Sequence, residues 1–119
     1  MNLELFTKIQ RILSEKYKLL DNVIYNKDEL FLLSIRQTIC EIFLNKWLDS
    51  PESDPIDILD NMIVIYYIYL NSAKEFGKLK LLVVYSTYIR TLTFIKNLIK
   101  KETIWTIDQE KLRQLYLVY

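Results

Sequence analysis

Histidine is absent from the 119 residues, and the chain contains only one cysteine and one glycine. Without histidine, the chain cannot form an imidazole general base, a Ser-His-Asp or Cys-His nucleophile, or a metal site with histidine ligands. One cysteine can form neither an intramolecular disulfide nor a thiolate zinc site. One glycine is too few for a P-loop or a dinucleotide-binding fingerprint. These absences predict a protein that is not an enzyme, with no cofactor, no metal and no small-molecule substrate.

The single cysteine, Cys40, lies in an apolar helical pattern. We therefore expect a small buried hydrophobic residue and not a reactive thiol, which needs a basic or histidine neighbour. The first residues lack a basic segment followed by an apolar one, so we expect no signal peptide and an intracellular protein. Abundant Ile, Leu, Lys, Asn and Tyr are typical of an AT-rich coding sequence and indicate a microbial, viral or parasitic source.

The chain also lacks an excess of charge of either sign, since it has 16 basic and 15 acidic residues and a net charge of +1. No global field would attract the chain to nucleic acid or to an anionic membrane. The hydrophobic fraction of 51% and the charged fraction of 26% are those of a globular protein. The length predicts one domain over residues 1–119.

One stretch carries no charge and no amide: Met62 to Leu70, which reads Met-Ile-Val-Ile-Tyr-Tyr-Ile-Tyr-Leu. A helix that crosses a bilayer needs roughly 20 apolar residues, so this stretch of nine is too short to span a membrane. Protein must therefore cover it. We expect it to form the middle of a central helix, surrounded by the other helices of the domain or by a second copy of the chain.

Apolar residues recur at helical spacing along most of the chain, and no tandem strand signals occur. Start and stop signals divide the pattern: Asn2, Asn26 and Asp54-Pro55 as helix starts, Gly77 as a left-handed helix end, and Thr106 to Gln109 as a capping box. The sequence predicts an all-α bundle of five helices over residues 3–20, 27–48, 55–76, 78–101 and 107–119.

Tyrosine is abundant, and three of the nine tyrosines fall within the central apolar stretch. Tyr66, Tyr67 and Tyr69 point in three directions around a helix, so a small bundle would struggle to bury all three. Tyr85 and Tyr88 lie on the apolar seam of the next helix. We predict that these five residues bind a protein partner, and that the chain is a self-associating interaction module, as a homodimer, of the kind that viruses and microbes use as adaptors or inhibitors of host factors.

Residues 74–101 hold seven basic residues and one acidic residue. The alternative prediction is therefore a small subunit that contacts the phosphate backbone of nucleic acid. The residues that would make these contacts are Lys78, Lys80, Arg90, Lys96, Lys100 and Lys101.

Five acidic residues follow one another without a basic residue between them: Asp49, Glu52, Asp54, Asp57 and Asp60. Asp57 and Asp60 are three apart and would face the same side of a helix, where Mg²⁺ or Ca²⁺ could bridge them. The favourable field at a helix N-terminus explains the same residues without a metal, and we expect that explanation to hold. In a dimer, this acidic segment of one subunit could also meet the basic helix of the other.

The spacing Gln109-x-x-Leu112-x-x-Leu115-Tyr116 resembles the peptide box with which many replication and repair proteins bind the sliding clamp. In that family, a glutamine, an aliphatic residue and a terminal aromatic pair plug into one face of the clamp. Leu115 stands where the box normally has Phe or Tyr. The resemblance covers eight residues and implies a clamp contact, while an amphipathic helix would carry the same residues for packing.

Overall fold

The computed structural model describes the backbone of residues 1–118 and every side chain among them except those of residues 105, 106 and 116–118. Within this part of the chain there are four helices and no strand. They are α1 (Leu3–Lys16), α2 (Lys27–Asp49), α3 (Pro55–Glu75) and α4 (Leu79–Val118). The predicted all-α fold is confirmed, and the number of helices is four where five were predicted.

The first three helices begin where the sequence predicts, because each has a polar cap whose side chain accepts a hydrogen bond from a free backbone N–H. The pairs are Asn2 with Leu5 at 3.0 Å, Asn26 with Glu29 at 2.8 Å, and Asp54 with Ile56 at 2.9 Å. Each start is therefore set by residues within one turn of it.

The end of α3 is also set locally, by Gly77. Its φ is +65°, in the left-handed region where glycine alone is free of strain. Its N–H donates to the Lys74 carbonyl at 3.2 Å, and the Lys78 N–H donates to the Ala73 carbonyl at 2.9 Å. This is the Schellman arrangement, in which a left-handed residue closes the last turn of a helix.

The apolar spacing predicts that the first helix ends at residue 20, but α1 ends at Lys16. The carbonyl of Tyr17 accepts a hydrogen bond from Gln37 Nε2 of α2 at 2.6 Å. The N–H of Leu20 donates to the Tyr25 hydroxyl at 3.0 Å. Side chains outside the helix thus satisfy backbone groups that a longer helix would have paired internally.

The predicted fifth helix over residues 107–119 is wrong as a separate element, because residues 102–107 continue α4 without a break. Neither glycine nor proline occurs between Leu79 and Val118, so nothing interrupts the backbone hydrogen-bond ladder. The Thr103 hydroxyl donates back to the Ile99 carbonyl at 2.8 Å, a bond that threonine can make inside a helix. A capping sequence therefore lies within a helix whose N–H groups are already paired.

The centre of the bundle is formed by α2 and α4, each of which contacts the other three helices, while no Cα atom of α1 lies within 8 Å of a Cα atom of α3. The expectation that the third helix is central is therefore wrong. Helix α3 lies at the side of the bundle and packs mainly on α4. Its apolar stretch is covered on one face only.

All four helices contribute to one hydrophobic core. Trp47 lies within it, with its ring centroid 5.1 Å from that of Phe6 in an edge-on contact and 5.6 Å from that of Phe43. Aromatic contacts of this geometry are favourable beyond the area that they bury. The buried residues of this core are Phe6, Ile9, Leu13, Ile39, Cys40, Phe43, Trp47, Leu59, Met62, Leu92, Ile95 and Ile99.

The molecule is elongated, with extents of 63 × 38 × 21 Å, because α4 is longer than the bundle. Among the described side chains of α4, the last buried one is that of Ile99, and the salt bridge between Lys8 Nζ and Glu102 Oε2, at 2.6 Å, lies one turn beyond it. At 1.5 Å per residue, residues 103–118 project roughly 25 Å past this salt bridge. We call this segment the projecting end of α4.

Replacing Gly77 tests the helix end. Gly77→Val should lower the free energy of unfolding by about 1 kcal/mol or more, because a β-branched residue is strained at positive φ. No heavy atom lies within 4 Å of an added Cβ, so the cost is one of backbone strain and not of a clash. Gly77→Asn is the control and should cost less, since asparagine tolerates this conformation. Equal urea midpoints for the wild type and both variants would contradict this account.

Candidate functional site

Four of the five tyrosines predicted to bind a partner form one cluster between α3 and α4. Tyr66 is at its centre, with its ring centroid 5.0 Å from that of Tyr88, 5.9 Å from that of Tyr69 and 6.0 Å from that of Tyr85. Tyr85 also lies 5.6 Å from Tyr69 and 6.4 Å from Tyr88. We call these residues the tyrosine cluster.

The electrostatics of the tyrosine cluster follow from burial and crowding. Burial raises the pKa of Tyr66 above its usual value of 10.0, and the neighbouring Tyr88, Tyr69 and Tyr85 raise it further. Burial, then Tyr85, raises the pKa of Tyr88. Both hydroxyls therefore stay protonated at neutral pH and act as hydrogen-bond donors or acceptors, not as bases.

The prediction that Tyr66, Tyr67 and Tyr69 point in three directions is only partly correct. Tyr66 and Tyr69 are one turn apart, and their rings meet on the α4 side of α3. Tyr67 points away from the cluster and is 50% exposed. The cluster thus joins α3 to α4, while Tyr67 lies on a different surface.

That second surface is the outer face of α3, which we define as Val64, Ile65, Tyr67 and Ile68. Their side chains are respectively 58%, 46%, 50% and 60% exposed. The buried residues of α3 lie on the opposite side of the helix: Leu59, Met62, Leu70 and Ala73. The outer face is therefore an apolar strip just over one turn long that no described side chain fully covers.

No charged residue occurs from Asn61 to Ala73, so the outer face is uncharged along its whole length. Beside it, Tyr69 and Phe76 are exposed and line a shallow pocket of about 220 Å³ between the end of α3 and the start of α4. An exposed apolar strip with adjacent aromatic side chains has the composition of a protein interface core.

The structure distributes the basic residues predicted to contact nucleic acid over separate sides of α4. Lys96 Nζ forms a salt bridge with Asp60 Oδ1 of α3 at 2.6 Å. Arg90 lies on the side of α4 that faces α1 and α2, where it lines a cleft with Lys16 and Arg36. A contact between Lys96 and a phosphate would compete with this pairing.

The remaining four of these basic residues lie in two separate regions of the molecule. Lys80 Nζ lies 5.4 Å from the ring centroid of Phe31, and Lys78 borders the pocket beside Phe76. Lys100 and Lys101 are exposed near the projecting end of α4. The six residues therefore do not form one continuous basic surface, which the phosphate backbone of a duplex would require.

Two of the five acidic residues have structural roles. Asp54 caps α3, and Asp60 pairs with Lys96. Among the described residues there is no group of three or more acidic or cysteine side chains placed to hold a metal ion. The location of Asp54 and Asp57 at the start of α3 is what the field of the helix N-terminus favours.

Three residues of the clamp-box resemblance, Gln109, Leu112 and Leu115, lie on the projecting end of α4, and all three are exposed. The side chain of Tyr116 lies outside the described residues. The packing role that an amphipathic helix would give Leu112 and Leu115 is therefore not present within residues 1–118. The clamp contact stays a prediction.

Cys40 is buried in the core, and burial raises the pKa of its thiol from 9.0 to about 12. A thiol with so high a pKa carries almost no thiolate at neutral pH and is a poor nucleophile. Sequence reasoning identified this role correctly. It missed Lys16 and Arg36, because they are distant from Arg90 in the sequence and no local pattern links them.

Comparison with known proteins finds no matching protein-family model, no matching curated protein and no matching solved structure. No helix in the described part of the chain is both long enough and apolar enough to cross a membrane.

The thiol of Cys40 predicts a specific loss of stability in alkali. Below pH 9, Cys40 is protonated in both states; above it, the unfolded chain loses the proton and the folded chain keeps it until about pH 12. The free energy of unfolding should then fall by at most about 1.4 kcal/mol per pH unit. The three tyrosines with raised pKa values start from 10.0, so the interval from pH 9 to 10 reports mainly on Cys40.

Urea unfolding of the wild type and of Cys40→Ala at pH 8, 9 and 10 measures this effect. Cys40→Ala should be less stable at every pH because it leaves a cavity, but its stability should decline less between pH 9 and 10. Parallel declines for the two proteins would contradict the role given to the thiol.

The tyrosine cluster predicts unequal effects for two neighbouring substitutions. Tyr66→Leu should lower the free energy of unfolding by about 1–3 kcal/mol, because Tyr66 contacts three other rings. Tyr67→Leu is the matched control and should change it by less than about 0.5 kcal/mol, since Tyr67 is half exposed. Urea unfolding of dilute protein separates the two, and equal losses would show that the cluster does not stabilise the chain.

Proposed function

We propose that this protein is a non-enzymatic protein-protein interaction module that self-associates through the outer face of α3. The observation that carries the proposal is the exposure of Val64, Ile65, Tyr67 and Ile68 on an uncharged strip of a helix whose other face is buried. Monomeric proteins seldom expose apolar side chains that adjoin one another in this way. A covering surface would remove this strip from water.

A second copy of the chain fits the strip because the strip bears no charge. In a two-fold symmetric dimer, each residue meets the same surface on the partner, so a charged strip would oppose itself. The stretch from Asn61 to Ala73 avoids this repulsion. Asn61 and Ser72 at its two ends offer uncharged hydrogen-bonding groups at the rim of the contact.

The geometry of helix packing favours a crossed arrangement of the two α3 helices. Val64 and Ile68 are four residues apart and form a ridge of the kind that packs between the ridges of a second helix, at a crossing angle of about −50°. At such an angle, the helix ends diverge. Asp57 and Glu75, at opposite ends of α3, then remain in solvent, where their charges cost little.

The size of the strip indicates a dimer of modest affinity. Just over one turn of one helix offers less than the roughly 800 Å² per partner that a stable complex usually buries. The exposed rings of Tyr69 and Phe76 extend the contact. We therefore expect a dimer that dissociates on dilution, with a binding free energy of about −8 kcal/mol, which corresponds to a micromolar dissociation constant.

The chemistry of the chain supports a binding role over catalysis. There is no histidine, and the one thiol is buried with a raised pKa. The acidic residues at the start of α3 are used in a helix cap and a salt bridge. We propose an intracellular location, which is compatible with an adaptor or inhibitor that acts by contact.

Sedimentation velocity and light scattering over a protein concentration range of about 1 µM to 1 mM test the proposal. The wild type should change from monomer to dimer with rising concentration. Ile68→Lys and Tyr67→Asp should stay monomeric because they place a charge in the contact, and they should remain folded because both side chains are half exposed or more.

The matched control is Ile24→Lys, since Ile24 is 98% exposed in the connection between α1 and α2, away from α3. This variant should dimerise like the wild type. A wild type that is monomeric at every concentration, or an Ile68→Lys variant that dimerises as well as the wild type, would contradict the proposal.

A further inference from the structure

We propose that the cleft between the end of α1, the first half of α2 and the middle of α4 binds a small phosphorylated molecule. The side chains that would bind the phosphate are those of Lys16, Arg36 and Arg90, one cation from each of the three helices. We call it the cationic cleft. It lies on the side of α4 opposite the salt bridge to α3, and it is separate from the surface proposed for self-association.

The three cations are brought together by the packing of the helices. Lys16 Nζ lies 4.4 Å from the ring centroid of Phe94, so a cation–π contact holds the ammonium against α4. Arg90 precedes Phe94 by four residues and lies on the same side of α4. Burial raises the pKa of Tyr17, and the charge of Arg36 lies close enough to the Tyr17 hydroxyl to offset part of that rise.

No carboxylate among the described residues lines the cationic cleft. Two salt bridges occur among the described residues, Lys8 with Glu102 and Lys96 with Asp60, and neither of them lines the cleft. Positive charges that line one cleft without a negative one repel each other, and a bound anion would offset that repulsion. The charge of Lys16 also complements the negative end of the α1 dipole, which explains the position of this lysine. It does not explain the position of either arginine.

The kind of anion follows from the side chains. Arginine presents a planar fork of N–H groups that binds two oxygens of a phosphate group at once, and lysine adds a point charge. Two arginines and one lysine suit a group with two or more negative charges, such as a phosphate monoester or a diphosphate. Thr91, whose hydroxyl donates to the Thr87 carbonyl at 2.8 Å, also lines the cleft, as do the apolar side chains of Leu33 and Phe94.

The size of the cleft favours a small molecule over a nucleic acid. Its volume is about 440 Å³, within the range of about 300–1,000 Å³ found for small-ligand sites. A duplex needs cations in a row along an extended surface, whereas these three line a single cleft. The apolar side chains of Leu33 and Phe94 would contact an organic part of the ligand next to its phosphate.

Isothermal titration of the full chain with pyrophosphate, in buffer without divalent metal ions, tests the inference. Wild type should bind one pyrophosphate per chain. Arg36→Gln and Arg90→Gln should each bind about tenfold more weakly, as expected for the loss of one charge-assisted contact. Both side chains reach solvent, and circular dichroism should show unchanged helix content.

The matched control is Arg113→Gln, which removes the same charge from the projecting end of α4, far from the cleft. It should bind pyrophosphate like the wild type. Equal weakening by Arg113→Gln and Arg90→Gln would show that only net charge matters, and it would overturn the inference. So would the absence of binding at about 10 mM pyrophosphate.

Parallel titrations distinguish a soluble phosphorylated molecule from a lipid headgroup or a nucleic acid as the source of the phosphate. Inorganic phosphate and a nucleoside diphosphate should compete with pyrophosphate for the wild type, which supports a soluble ligand. Binding that occurs only to vesicles containing phosphatidic acid, or only to single-stranded DNA, would overturn it. Repeating the pyrophosphate titration on Ile68→Lys should give wild-type affinity, so the result does not depend on self-association.

Discussion

The apolar seam of α4 is the surface on which the rest of the molecule depends. Leu92, Ile95 and Ile99 are almost fully buried, and side chains from α1, α2 and α3 meet around them. Because no Cα atoms of α1 and α3 lie within 8 Å of each other, each helix is held in place mainly through α2 and α4. A small bundle of this kind is stable only while its central helices keep their apolar faces in register.

The same arrangement explains why one apolar face is left uncovered. Helix α3 is apolar around most of its circumference, yet it has neighbours on one side only. The tyrosine cluster uses part of this excess by joining α3 to α4 through ring contacts. What remains is the outer face, whose lack of charge suits contact with an identical surface. Packing within the chain thus explains the buried part of the apolar stretch, and the interaction that we propose would explain its outer face.

Helix α4 also separates two kinds of surface. Toward α3 it carries aromatic residues and Lys96, which is neutralised by Asp60. Toward α1 and α2 it carries Arg90, beside two cations in a cleft that no described carboxylate lines. A nearly neutral chain can therefore contain a locally cationic site, because net charge says nothing about how charges are grouped in space. Self-association and anion binding would then take place on opposite sides of one helix.

The sequence by itself determined the features that depend on residues within one turn of each other. The caps Asn2, Asn26 and Asp54 and the left-handed Gly77 were all predictable, since their partners are two to five residues away. Periodicity likewise determined the all-α class, and composition determined the absence of histidine chemistry. Three of the five predicted helices, however, differ from the structure in where they end or whether they are separate: α1 is shorter, and the last two are one.

Tertiary structure decided everything that depends on which helices meet. It made α2 and α4 central instead of α3, turned Tyr66 and Tyr69 toward α4 while leaving Tyr67 exposed, and brought Lys16, Arg36 and Arg90 into one cleft. The physical reason is that an apolar helix face specifies only that it must be covered. Which neighbour covers it is settled by the packing of the whole chain, and contacts between residues far apart in the sequence leave no local signal.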